Sequence, residues 1–128
     1  LLRWGEMGQA TISEAVRREI SWVTSSLTDL IIKAGARYLE LKGRLSKIDR
    51  DRDKELYALY EHDLGMIQDY IRKASLLKAL LEAVSVAVTN GKDIKGLLEI
   101  LYKERRSVPE FMWSIEWITD ALKERGLL

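Results

Sequence analysis

"LLKALLEAVSVAV", Leu76 to Val88, is the most apolar run in the chain. It carries Lys78 and Glu82 and is too short to cross a bilayer, which takes about 20 apolar residues. Leu77, Leu81, Val84 and Val88 keep the three–four rhythm of a single helix face, and Leu76, Leu80, Ala83 and Val86 spread apolar surface round the other sides. A helix apolar on most sides is buried on most sides, so this segment is expected at the centre of the fold. Thr89-Asn90-Gly91 ends it, with Asn90 or Gly91 able to take the left-handed cap.

The rhythm reaches back from this run through Ala74, Ile71, Ile67, Leu64, Tyr60 and Leu56. An earlier stripe runs from Val16, Ile20, Val23 and Leu27 through Leu30, Ala34, Tyr38 and Leu41 to Leu45, roughly 45 Å at 1.5 Å per residue. A helix of that length needs a partner of comparable length. Thr11 and Glu14 are spaced as a capping box at its start, and the two-glycine opening before them reads as a loose arm over residues 1–10. After Gly91 a short helix carries Ile94, Leu97, Leu98 and Leu101. Ser107 and Glu110 repeat the capping pattern, with Pro109 in the first turn. A last helix carries Phe111, Ile115, Ile118 and Leu122 and ends at Gly126. The reading is one all-α domain over 1–128, built on an antiparallel helical hairpin (about 11–45 and 51–88). Two shorter helices (about 93–105 and 108–125) cap it.

Between the long helices, "KIDRDRDKELY" sets Asp49, Asp51 and Asp53 in the alternation that opens a calcium loop. An EF-hand needs glycine at its sixth position and a bidentate glutamate at its twelfth, and here those are Lys54 and Tyr60. The three acids read instead as caps and charges for a helix start.

With 47% hydrophobic and 32% charged residues in 128, the chain has the balance of a globular domain with a real core. Net charge is +1, so no global field draws it to nucleic acid or an anionic membrane. The absence of cysteine removes disulfides, thiolate nucleophiles and zinc ribbons together. No secretory signal pattern opens the chain, so a cytoplasmic location without membrane contact is expected. Asn90 is the one asparagine and Gln9 and Gln68 the two glutamines, a depletion that together with abundant Glu, Lys and Arg reads as thermophilic.

Little chemistry is visible. His62 is the single histidine, and its sequence neighbours Glu61 and Asp63 stand about 100° round a helix from it and do not share one site with it. No cofactor or metal is expected. No nucleophile–base pattern or phosphate-binding glycine loop occurs. A helical enzyme of the chorismate mutase type would clamp a small dianion; Arg17, Lys33 and Arg37 lie on the first helix, and such a site would be a pocket lined by Arg37, Lys33 and an acid from the second helix. The fixed spacings of that class are missing, so the chain reads as non-catalytic. The last segment echoes a winged helix, with too few residues between Ser107 and Thr119 for two helices.

Two features point to binding. Trp113 and Trp117 stand one turn apart, off the Phe111/Ile115/Ile118/Leu122 stripe. Either they form an interface hot spot, where tryptophan is enriched, or the last helix is buried on both faces. The second feature is the basic cluster Lys103, Arg105 and Arg106, which offers phosphate contacts. Acids interleave with nearly all such clusters, and solvated helix surface is the plainer reading.

The stretch "KELYALYEHDLGMIQDYIRKASLLKALLEAVSVAV" (Lys54–Val88) resembles the helical domain of archaeal GINS-family replication subunits. The likeness lies in the Glu-Leu-Tyr entry, the long amphipathic helix and the basic pair Arg72/Lys73 before an apolar finish. It extends loosely to Glu14–Leu45 and Asp93–Leu122. It departs in lacking the small β-rich domain such subunits usually carry. The resemblance implies a non-catalytic subunit linking a replicative helicase to partner proteins. On this reading the partners are other protein subunits in a homo- or hetero-oligomer, with nucleic acid contacted indirectly. The alternative is a small helical regulator that binds DNA directly through its basic clusters, as a homodimer.

Overall fold

The computed structural model describes residues 4–124, with side chains from Glu14 onward. Helices α1 (Trp4–Leu45) and α2 (Lys54–Thr89) form a long hairpin; α3 (Lys95–Lys103), a 3-10 turn (Pro109–Phe111) and α4 (Met112–Glu124) complete the chain. No strand occurs among the described residues. The fold is the all-α hairpin with two capping helices that the periodicity predicts.

Helix α1 begins at Trp4 rather than Thr11. Residues 4–10 of the expected loose arm belong to α1, while residues 1–3 and the Thr11 side chain of the capping box lie outside the described ones. Glu14 pairs forward with Arg18 at 2.7 Å.

The turn between the long helices corrects one expectation. Asp49 Oδ1 accepts the backbone N–H of Asp51 at 2.9 Å and of Arg52 at 3.3 Å, which closes the turn. Asp53 holds the N-cap position of α2 but makes no side-chain cap bond. Its carbonyl alone receives Tyr57 N–H at 2.8 Å. Of three acids expected at a helix start, one shapes the turn before it and none caps by its carboxylate.

At the far end of α2, Gly91 takes φ +65°, as the Asn-Gly signal predicts. Gly91 N–H donates to Val88 O at 3.1 Å and Lys92 N–H to Ala87 O at 2.9 Å, the paired bonds of a Schellman motif. The second capping box does not form. Ser107 Oγ donates to Glu104 Oε2 at 2.6 Å, a nearer acceptor at the end of α3. Extended Val108 stands at the N-cap with Pro109 following.

The core lies at one end of the hairpin. Val16, Ile20, Val23 and Leu27 of α1 meet Ala74, Leu77, Leu81 and Val84 of α2 under a lid of α3 and α4 side chains. The lid supplies Leu98, Leu101, Phe111, Ile115, Ile118 and Leu122, all buried. At 1.5 Å per residue the lid helices span no more than about 20 Å, against roughly 54 Å for α2. The rest of the hairpin is therefore two helices alone, and its buried residues reduce to Leu41 and Leu64. The expectation that α2 is buried on most sides holds for Leu77, Leu80, Leu81 and Val84. It fails for Leu76 and Val86, which are 42% and 61% exposed. The bundle covers α2 from two directions, α1 and the lid, and leaves the third to solvent.

Candidate interaction site

Helix α4 is amphipathic in a specific sense. Phe111, Ile115, Ile118 and Leu122 point into the core, and Thr119, also buried, returns its hydroxyl to Ile115 O at 3.0 Å and Glu116 O at 2.9 Å. One flank is fastened to α1: Ser114 Oγ donates to Glu19 Oε1 at 2.7 Å, and Trp22 meets Phe111 edge-on, with ring centroids 5.7 Å apart. The other flank is fastened to α3. Arg105 Nε donates to Glu116 Oε1 at 3.2 Å, and its guanidinium lies 4.0 Å from the Tyr102 ring centroid, with Lys123 5.1 Å from the same ring.

Fastened on three sides, α4 turns Trp113 and Trp117 outward. They are 75% and 47% exposed, so the last helix is not sandwiched between two layers. Two large, stiff aromatic side chains thus stand one turn apart on a helix that cannot roll. Trp22, 55% exposed and against Phe111, adds a third tryptophan at the same end of α4. Periodicity cannot find Trp22, because its place depends on the α1–α4 contact.

The basic cluster separates on folding. Arg105 is engaged with Glu116 and with Tyr102 O, the latter at 2.9 Å, so its guanidinium bridges α3 and α4 rather than lining an anion site. Lys103 and Arg106 face solvent on either side of it. Elsewhere several cations pair along their own helices. Arg72 and Lys73 both bind Asp69, at 2.6 and 2.9 Å, and these hydrogen bonds (that of Lys73 foremost) hold its carboxyl below the ordinary range. Arg37 and Arg44 both bind Glu40, at 3.2 and 2.8 Å. These are the interleaved acid–base faces read from the sequence.

His62 Nδ1 lies 3.7 Å from Asp63 Oδ1 and is largely exposed. Among the described residues no group of histidines and acids is gathered as a metal site. Lys33 and Arg37 are exposed on α1, and Arg37 pairs with Glu40 of its own helix. An open groove of about 380 Å³ lies between α1 and α2, lined by Arg17, Ile20, Ser21, Thr24, Glu82, Ser85 and Val86. It sets one cation, Arg17, and one acid of α2, Glu82, among three small hydroxyls and two apolar side chains. No described helix is long and apolar enough to cross a membrane. No family model, curated protein or solved structure matches the chain.

Proposed function

We propose that this chain is a non-catalytic interaction subunit that docks another protein on the outer face of α4. The exposure of Trp113 and Trp117 on a helix whose other sides are fastened carries this reading. Tryptophan on a rigid element gives large contact area at small entropic cost, which is why it recurs at hot spots. Membership of a nucleic-acid-handling assembly, and more narrowly an archaeal GINS-like replication complex, rests on the resemblance of Lys54–Val88, and the thermophilic source on the depletion of asparagine and glutamine. A cytoplasmic setting rests on the cysteine-free composition.

The test is a nuclease-treated affinity capture from cells of the source organism, run with the natural chain and with Trp113→Ala/Trp117→Ala. Stoichiometric recovery of replication proteins, lost with the double variant, supports the reading in its narrow form. Recovery of other subunits, also lost, supports its general form alone. Capture of the bait by itself counts against both. Steeply salt-dependent DNA binding by the purified chain would then favour the direct DNA-binding alternative.

A further inference from the structure

Helix α2 carries a second apolar seam besides the one packed on α1. It follows positions 56, 59, 63, 66, 70, 73, 77, 80 and 84, alternating steps of three and four as a heptad seam does; it is apolar except at Asp63 and Lys73, and merges at Leu77 and Val84 with the core shared with α1. In its later half Leu77, Leu80 and Val84 are 0%, 9% and 0% exposed within the core that α3 and α4 close. In its earlier half Leu56, Leu59 and Met66 are 45%, 58% and 61% exposed. Tyr70 stands where the halves meet, and its hydroxyl donates to Glu110 Oε2 at 3.3 Å at the near end of the lid. One continuous seam is thus filled by two helices over half its length and then left open.

The facing lip belongs to α1. Glu19 bonds Ser114 of α4, and steps of seven from it lead through Ser26 to Lys33 and Glu40. Val23 is buried in the same cluster, and steps of seven from it lead through Leu30 to Arg37 and Arg44. Beyond the lid this lip therefore presents three cations around the single acid Glu40. The Arg37 and Arg44 side chains remain 53% and 56% exposed despite their pairing with Glu40.

We propose that the uncovered half-groove receives one amphipathic helix of a partner protein. That helix has an apolar seam laid on Leu59, Met66 and Tyr70, and an acidic flank along Lys33, Arg37 and Arg44. Such a helix continues the layer that α3 and α4 begin, and the cationic lip selects its acidic side. Asp63, within the seam, asks for a Lys or Arg on the incoming helix and so sets its register, as single polar seam residues do in coiled coils. A second copy of this chain fits poorly. Antiparallel self-pairing that stacks Leu59 on Met66 of the other copy brings Asp63 onto Asp63 at the two-fold axis, and such like-charge contacts oppose association. This surface shares no residue with the α4 face and goes beyond it, so the two readings stand or fall separately.

The experiment replaces Met66 with the photo-cross-linker p-benzoylphenylalanine in the full chain, irradiates it in cells of the source organism and maps the adducts by mass spectrometry. The expected adduct falls on one partner segment with heptad-spaced apolar residues and Asp or Glu along one flank. A synthetic peptide of that segment should bind the purified chain. Leu59→Ser/Met66→Ser and, separately, Arg37→Glu/Arg44→Glu should each weaken it by roughly tenfold or more. Trp113→Ala/Trp117→Ala should leave that affinity unchanged. Circular dichroism keeps folding apart from binding, and both seam substitutions are at exposed positions. Adducts on a second copy, on nucleic acid or on nothing would overturn the proposal. So would a peptide indifferent to reversal of Arg37 and Arg44.

Discussion

Arg105, two residues past α3, joins Glu116 of α4 through one Nε–H···O bond of 3.2 Å, with its guanidinium stacked on Tyr102 of α3 and both partners largely covered. Their side chains keep 20% and 31% of their exposure, which places the pair between a surface bridge and a buried one. Arg105→Ala removes a charge-assisted bond, the bond to Tyr102 O and the stacking together. It should lower stability by about 1–3 kcal/mol. Arg105→Lys should recover only part of that, because an ammonium has neither the Nε donor nor a planar face. Urea denaturation of the two variants and of Glu116→Gln measures this. Equal loss in the Lys and Ala variants would indicate that the fork geometry carries everything; no loss in either would remove the bridge from the account.

The two faces of α4 should separate stability from binding. Ile118 is fully buried and Ile118→Ala leaves a cavity beneath the lid, for a cost of about 2–5 kcal/mol. Trp113→Ala, at a position 75% exposed, should stay within about 0.5 kcal/mol of the natural chain while reducing partner capture. Thermal melts beside the capture assay check both halves. A large thermal loss in Trp113→Ala with capture intact would reassign the side chain to structure.

Gly91 is the only described residue with positive φ, at +65°, and nothing lies within 4 Å of where a Cβ would stand. A substitution there meets backbone strain and no clash. Gly91→Ala should therefore destabilise by about 1 kcal/mol, and Gly91→Asn by less, since asparagine tolerates the left-handed region. Chemical denaturation of both variants tests the order. An alanine variant as stable as the natural chain would mean that the Schellman bonds to Val88 and Ala87 do not hold the α2 terminus in solution.

Much of this architecture was legible because helical periodicity is a local property. The spacing of Val16, Ile20, Val23 and Leu27 and of Leu77, Leu81 and Val84 marks two faces that must meet, and they do. What periodicity cannot supply is the number of directions from which a helix is covered. Leu76 and Val86 look as apolar as Leu80, yet only Leu80 lies under the lid. Capping is similarly competitive: Ser107 has the right spacing for a box, but Glu104 takes its hydroxyl first. The orientation of Trp113 and Trp117 stayed open for the same reason. It depends on Glu19, Trp22 and Arg105, residues distant in sequence or unremarkable in pattern, which fasten the helix and fix which face turns out.

Tyr70 offers a test at alkaline pH. Burial is the larger cause raising its pKa above the ordinary 10.0, and the neighbouring Glu110 carboxylate adds to it. The folded chain therefore holds this phenol proton more tightly than the unfolded chain does. The sign follows from linkage: the group's contribution is fully present below the unfolded value near pH 10 and is lost as pH rises through the folded value. Tyr70→Phe should remove a late component from the alkaline absorbance titration and shift alkaline unfolding to higher pH. At neutral pH it should cost no more than about 1 kcal/mol for one partly exposed hydrogen bond. Glu110→Gln should lower the late component without abolishing it, since burial remains. If Glu110→Gln abolished it, the carboxylate rather than burial would be the dominant cause. If Tyr70→Phe changed nothing, the contact at the edge of the lid would be open in solution, and the open half-groove would begin further along α2.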